Sequence, residues 1–301
     1  FEQLSYYLSE QATIRTQAEV ELALVKVLHK RGMCSEEVVT EVEEAIKELT
    51  PEEVYQEERK TKHNIRALVN CIREKISDEA RPYVHLSATS VDIMDTSAAL
   101  RYRQAAENLI LPALKELING LIEIAEQEKK TVQIGRTHGQ HAVPITFGFA
   151  MALYISRLGQ RLEKIEETTA QLCGKMAGAV GAYNASSIFI EDPNSFEEEV
   201  LAEINLKPAP ISSQIVQPEY VTDFIHTLVS TYGILGNFAD DMRHLQRTEI
   251  DEVGEYFAPD QVGSSTMPHK RNPINYENIK SMYKEFMPRM TTVYLDQISE
   301  H

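Results

Sequence analysis

Residues 90–130 read SVDIMDTSAALRYRQAAENLILPALKELINGLIEIAEQEKK, and this stretch sets the fold class. Its apolar residues recur with helical spacing, which predicts one very long helix from Ser90 to about Lys130. Asp92 and Asp95 sit in the first turns, where the positive end of the helix dipole favours carboxylates. Pro112 falls inside the run and predicts a kink, because its ring removes a donor and crowds the preceding turn. Very long helices with polar stripes pack on one another as bundles, often across subunits. The expected architecture is therefore all-α.

The rest of the chain extends the pattern. Val20, Leu22, Leu24, Val25, Val27 and Leu28 crowd a helix that Gly32 closes. Ser35 starts a short helix to about Leu49. Thr50-Pro51-Glu52-Glu53 is a strong start signal, with Thr50 as cap, Pro51 at the first helical position and Glu53 completing a capping box. The helix that follows runs to about Ile76 and contains His63. Arg81-Pro82 ends it, and 83–89 reads as a loop. A second loop spans 131–143, with room for a short hairpin over 132–145. Pro144 opens a long helix to about Cys173. Gly174, Gly178 and Gly181 loosen the next stretch, and 182–194 is loop. A short acidic helix covers 195–205, and 208–218 is irregular. A third long helix runs from Glu219 to about Glu252. Residues 258–273 form a loop, and a final helix runs from about Asn275 to the end.

Composition bounds the function. The chain has 301 residues, 43% of them hydrophobic and 25% charged, with no Trp. That is an ordinary globular composition, long enough for two domains or one elongated one. The formal net charge of -16 argues against a nucleic-acid or anionic-membrane surface, which needs a basic face. No apolar run reaches the about 18 residues of a membrane span. Cys34, Cys71 and Cys173 are odd in number, form no CxxC pair and sit in apolar helical contexts, so they read as reduced thiols of a cytoplasmic protein. Cys and His show no metal-ligand spacing.

The chemistry concentrates in a few loops. Residues 263–273 read Gly-Ser-Ser-Thr-Met-Pro-His-Lys-Arg-Asn-Pro. Pro268 and Pro273 exclude a regular helix. His269, Lys270 and Arg271 carry cations and Asn272 an amide beside the hydroxyls of Ser264 and Ser265. Such a loop suits closure over an anionic substrate. The 131–147 loop contains Gly135-Arg136-Thr137-His138-Gly139-Gln140-His141, whose histidines are candidates for proton transfer. At 83–96, Thr89 or Ser90 caps the long helix, and hydroxyls at a helix start also suit a carboxylate or phosphate.

These three stretches, in their order along the chain, resemble motifs of the fumarase/aspartase superfamily. His138, His269 and Arg271-Asn272-Pro273 make the likeness greatest to its adenylosuccinate lyases. The resemblance implies a long-helix bundle assembled into a multi-helix core in a homotetramer with shared active sites. It implies an N-terminal helical domain over 1–86 and a central bundle domain over 87–301 carrying the 258–273 loop. The family's small C-terminal helical domain, a phosphate-binding arginine segment and an early Arg-Tyr pair fall outside this chain.

The implied activity is β-elimination of fumarate from adenylosuccinate, giving AMP, and from the succinyl-carboxamide ribotide of purine synthesis, giving AICAR. Ser264 would be the base and His138 the acid, with Glu277 orienting His138. His63, His85, Thr89, Ser90, Gln214, Lys270 and Asn272 would bind substrate. Lys62-His63-Asn64 departs from the family's Arg-His-Asp triplet at its first and third residues. No metal or organic cofactor is implied. Two alternatives stand beside this: a carboxymuconate-type cycloisomerase, against which His138 speaks, and a non-catalytic helical scaffold.

Overall fold

The computed structural model describes residues 2–298. Its helices are α1 (Glu2–Leu8), α2 (Glu10–Lys30), α3 (Glu36–Lys47), α4 (Pro51–Thr61), α5 (Asn64–Glu74), α6 (Ser90–Ala105) and α7 (Leu111–Gln127). An antiparallel hairpin of β1 (Val132–Thr137) and β2 (Gln140–Thr146) follows. Then come α8 (Phe147–Gln171), α9 (Pro193–Ala202), α10 (Glu219–Leu245), α11 (Ile274–Phe286) and α12 (Met290–Asp296). The expected all-α class holds, and the small hairpin is the one sheet among the described residues. No described helix is long and apolar enough to cross a membrane.

Packing groups the chain into two compact units. Unit 1 comprises the described residues of Phe1–Ile110, Thr168–Thr222 and Asp296–His301. Unit 2 comprises Leu111–Glu167 and Asp223–Leu295. A cut at 86/87 therefore falls inside unit 1. Its core is built on the apolar stripe of α2, where Val20, Leu24, Val25, Val27 and Leu28 are fully buried against Leu68 and Ile72 of α5, Ile93 of α6 and Phe196 of α9. Each such side chain contributes roughly 1.5–3 kcal/mol. The core of unit 2 joins Leu114, Ile118 and Leu121 of α7 to Met151, Tyr154 and Leu158 of α8 and Ile234 and Met242 of α10.

Two helices are shorter than expected: α8 starts at Phe147, with Pro144 in β2, and α10 ends at Leu245 rather than about Glu252. Three expected runs are divided, the second of them where Pro112 predicts a kink. The helix expected over 51–76 is two. Thr50 and Glu53 form the expected capping box, but Lys62 ends α4 in the left-handed conformation, with φ 55°. His63 then caps α5, its Nδ1 accepting from the Arg66 N–H at 3.3 Å. The long helix at 90–130 is interrupted by a π turn at Ala106–Ile110. Pro112 has no N–H for the carbonyl four residues back and crowds it, and the widened turn just before it absorbs that misfit. The last helix breaks at Met287–Arg289, a 3₁₀ turn containing Pro288, and residues 299–301 of the expected run lie outside the described residues.

Candidate active site

In unit 1 the N-terminus of α6 organises one group of the expected site residues. Thr89 is the N-cap, in extended conformation, and Ser90 is the first helical residue. Asp92 is fully buried and accepts from the N–H groups of Thr89 (2.8 Å), Ala177 (3.2 Å) and Gly178 (3.1 Å). The buried ammonium of Lys175 completes its shell and also donates to the Gly178 carbonyl at 3.0 Å. One carboxylate thus fixes the Thr89 backbone and the 174–178 loop together. Glu197 secures the far side of that loop, accepting from the Met176 N–H at 2.6 Å and the Tyr183 hydroxyl at 2.6 Å. Burial, then the hydrogen bond to Glu197, push the Tyr183 hydroxyl well up.

The same loop packs on the segment that carries Gln214. Gly181 has φ +73°, and a Cβ there would lie 2.0 Å from the Ser212 carbonyl oxygen. The Val216 N–H donates to Asp95 of α6 at 2.8 Å. Asp92, Asp95 and Gly181 thus tie the start of α6, which carries Thr89 and Ser90, to the 212–216 segment that carries Gln214. His63 lies nearby in the fold: its neighbour Asn64 reaches Met94 of α6 at 3.4 Å.

His85 approaches from the loop before α6. Its φ is 63°, as is that of Ser87, so two non-glycine residues hold left-handed backbones beside Thr89. Such conformations persist only where the surroundings enforce them. His85 Nδ1 donates to Oε1 of Glu21, on α2, at 2.7 Å. Burial opposes the charged imidazolium, but the hydrogen bond and charge of Glu21, with the charge of Asp92, outweigh it and raise His85 above the ordinary histidine value.

Unit 2 holds the second group. Thr137-His138-Gly139-Gln140 is a two-residue hairpin turn with φ 55° at His138 and 73° at Gly139. Left-handed backbone at both central positions matches the twist of the strands. His138 is consequently exposed at the tip. The hairpin is anchored by Arg136, which pairs with Glu252 at 2.5 and 3.1 Å, and by Gln133, which donates to Glu252 at 2.8 Å.

The 258–273 loop has no regular structure, as expected, but it is clasped. Asn272 Nδ2 donates to the Gly263 carbonyl at 2.9 Å, and a Cβ on Gly263 would lie 2.2 Å from the Lys270 carbonyl oxygen. Ser264 Oγ accepts from the N–H groups of Thr266 (3.4 Å) and Met267 (3.2 Å). Lys270 is exposed, with its side chain unengaged among the described residues. Glu255 joins loop to helix, accepting from Asn275 N–H (3.2 Å), Tyr276 N–H (2.9 Å) and Asn275 Nδ2 (2.9 Å) in the first turn of α11. Glu277, also in that turn, is exposed. Within the described residues no hydrogen bond or ion pair joins Glu277 to His138, or either to Ser264.

The sequence model of a family described as Lyase matches residues 1–287. The chain belongs to this lyase family. Its relatives in the family include the adenylosuccinate lyase of Archaeoglobus fulgidus, 40% identical over 90% of this chain and 60% of the relative. The adenylosuccinate lyase of Bacillus subtilis is 37% identical over 79% of this chain and 53% of the relative. The chain thus spans about three-fifths of the curated lyases it matches. Among solved lyase-family structures, the 3-carboxy-cis,cis-muconate lactonizing enzyme of Pseudomonas putida superposes with TM-score 0.88 at 26% identity, covering 100% of this chain and 67% of that one. A fumarate lyase from Mesorhizobium, at TM-score 0.84 and 24% identity, shares the fold. The motif resemblance to the fumarase/aspartase superfamily agrees with these findings.

Glu21, Lys175 and Glu255 hold segments that carry the candidate residues, and the sequence reading did not single them out. Each acts across a distance in the chain. Only Glu21 carried a local signal, a carboxylate amid the apolar run of α2.

Proposed function

We propose that this chain carries the elimination chemistry of an adenylosuccinate lyase: fumarate leaves adenylosuccinate, giving AMP, and leaves the succinyl-carboxamide ribotide, giving AICAR. The observation that carries this reading is the 40% identity to the Archaeoglobus adenylosuccinate lyase over 90% of the chain.

Ser264, as alkoxide, takes the proton from the carbon beside a succinyl carboxylate. The electron pair moves into that carboxylate as an aci-carboxylate dianion, which Lys270 and Asn272 stabilise. Its collapse breaks the C–N bond while His138 delivers a proton to the leaving nitrogen. The two amides already aimed at Ser264 Oγ favour its deprotonated form. Glu277 orients His138. His85, Thr89, Ser90 and Gln214 line the pocket, and His63 faces the phosphate. The substrate's own carboxylate is the electron sink, so the steps require no metal or organic cofactor. The active sites are shared between subunits of a cytoplasmic homotetramer.

The full-length protein, given adenylosuccinate, is expected to release fumarate and AMP in equal amounts. No fumarate at any substrate concentration overturns the reading. The likeness to the lactonizing enzyme, TM-score 0.88, favours a second reading as a cycloisomerase. Lactone formation from 3-carboxymuconate without fumarate release from adenylosuccinate would establish it.

A further inference from the structure

Glu21 has no place in the chemistry above, yet its environment is unusual. It lies on the α2 face that forms the core of unit 1 and is fully buried. A carboxylate there is strongly disfavoured unless something engages it. Its one hydrogen-bonded partner in the described structure is His85 Nδ1, at 2.7 Å, and its other oxygen, Oε2, is buried without a partner. His85 in turn is held in a left-handed backbone conformation, four residues before the helix cap Thr89. Neither feature aids folding by itself. Together they hold one imidazole in one orientation, with Nδ1 consumed and Nε2 left for a ligand.

We propose that Glu21 is a positioning residue: it fixes His85 as an imidazolium whose Nε2–H binds an anionic oxygen of the substrate, phosphate or carboxylate. This rests on the assignment of His85 to the substrate pocket. The charged groups around the ring sort by element. Glu21 on α2 and Asp92 on α6 favour the cation. Arg73 on α5 opposes it. Arg73 is itself restrained, with one guanidinium nitrogen donating to the Val84 carbonyl at 2.8 Å and Nε buried without a partner. Asp92 is occupied by Lys175 and three amides, so Glu21 is the carboxylate that contacts the ring. A charged donor held in place beforehand binds an anion more strongly than a neutral one.

The test uses the full-length protein and Glu21→Gln, which keeps size and removes charge. The variant is expected to raise KM about tenfold at neutral pH, the scale of one charge-assisted contact, with kcat within about threefold. Its affinity for anions should also fall away at lower pH than in the parent, because burial then acts on His85 with only the charge of Asp92 against it. Separate titrations with AMP and with fumarate distinguish the two anions, since only the one that contacts His85 acquires the shifted profile. Unchanged pH profiles for both overturn the proposal. Should Glu21→Gln not fold, NMR of the labelled His85 ring in the parent decides. A ring protonated through neutral pH with Nδ1 hydrogen-bonded supports the proposal, and one that titrates at or below the ordinary histidine value overturns it. The binding and NMR readouts need no turnover, so they remain informative even if fumarate is never released.

Discussion

Ser264 meets amides of Thr266 and Met267 already aimed at its Oγ, so an oxygen that sheds its proton loses little to reorganisation. Removing it should leave the pocket and remove the proposed base. Ser264→Ala is expected to lower kcat by about a thousandfold or more while AMP binding and assembly stay near the parent's. Rates within a few-fold of the parent would transfer the role to Ser265. A backbone change probes the scaffold of the unit 1 group around Thr89 and Gln214. Gly181→Ala places a Cβ 2.0 Å from the Ser212 carbonyl oxygen at φ +73°. Both backbones are held, so the strain cannot relax cheaply. The expected loss is about 2 kcal/mol or more, read as a lower denaturant midpoint at unchanged slope.

Among the elements, α10 and α11 are joined by one acidic residue. Asp240 of α10 accepts from Lys280 of α11 at 2.5 Å and from Arg243 at 2.8 Å. Burial pushes its carboxyl up, but these hydrogen bonds prevail and hold it below the usual range. A depressed carboxylate stabilises the fold above its unfolded value, and that contribution disappears as pH falls through the folded one. Amide protection in α11 should therefore weaken on acidification below the ordinary aspartate range, and Asp240→Asn should abolish that acid sensitivity. An acid response identical in the variant would assign it elsewhere. The 258–273 loop behaves differently. The Asn272–Gly263 clasp closes its ends, and the amides from Val262 to Lys270 make few regular hydrogen bonds. Their exchange should be fast in the free protein and slow with AMP and fumarate bound. Equal protection in both states would mean that no closure step occurs.

At the scale of the molecule, large apolar side chains stand exposed on several helices of unit 2. They include Ile122 and Ile124 of α7, Phe149 and Leu153 of α8, Phe286 of α11 and Leu295 of α12. A monomer rarely leaves so many uncovered. The full-length protein is expected to sediment as a tetramer, and Leu153→Glu to lower assembly and turnover together. A stable, fully active monomer would refute both.

The long helices were legible because their periodicity is strong over many turns. Pro112 marked the interruption of the 90–130 run, though not its form as a π turn. The break at Lys62 was not legible, since it depends on a local exchange of partners in which His63 takes a cap. Of the candidate site, the loop motifs with His138 and Ser264 stood out by composition. Glu21, Lys175 and Glu255 did not, because a polar residue within a helix or loop reveals its partner only once distant segments meet.

The turn at His138 sets two demands against each other. Left-handed backbone costs a residue with a Cβ roughly 1–2 kcal/mol, and Asn or Gly avoids most of it. The hairpin would be firmer with its proposed acid gone. Random variants selected for heat tolerance alone should therefore accumulate Asn and Gly at position 138, and those survivors should be hardy and inert. The persistence of a histidine there, under any breeding scheme, would report selection for turnover rather than for endurance.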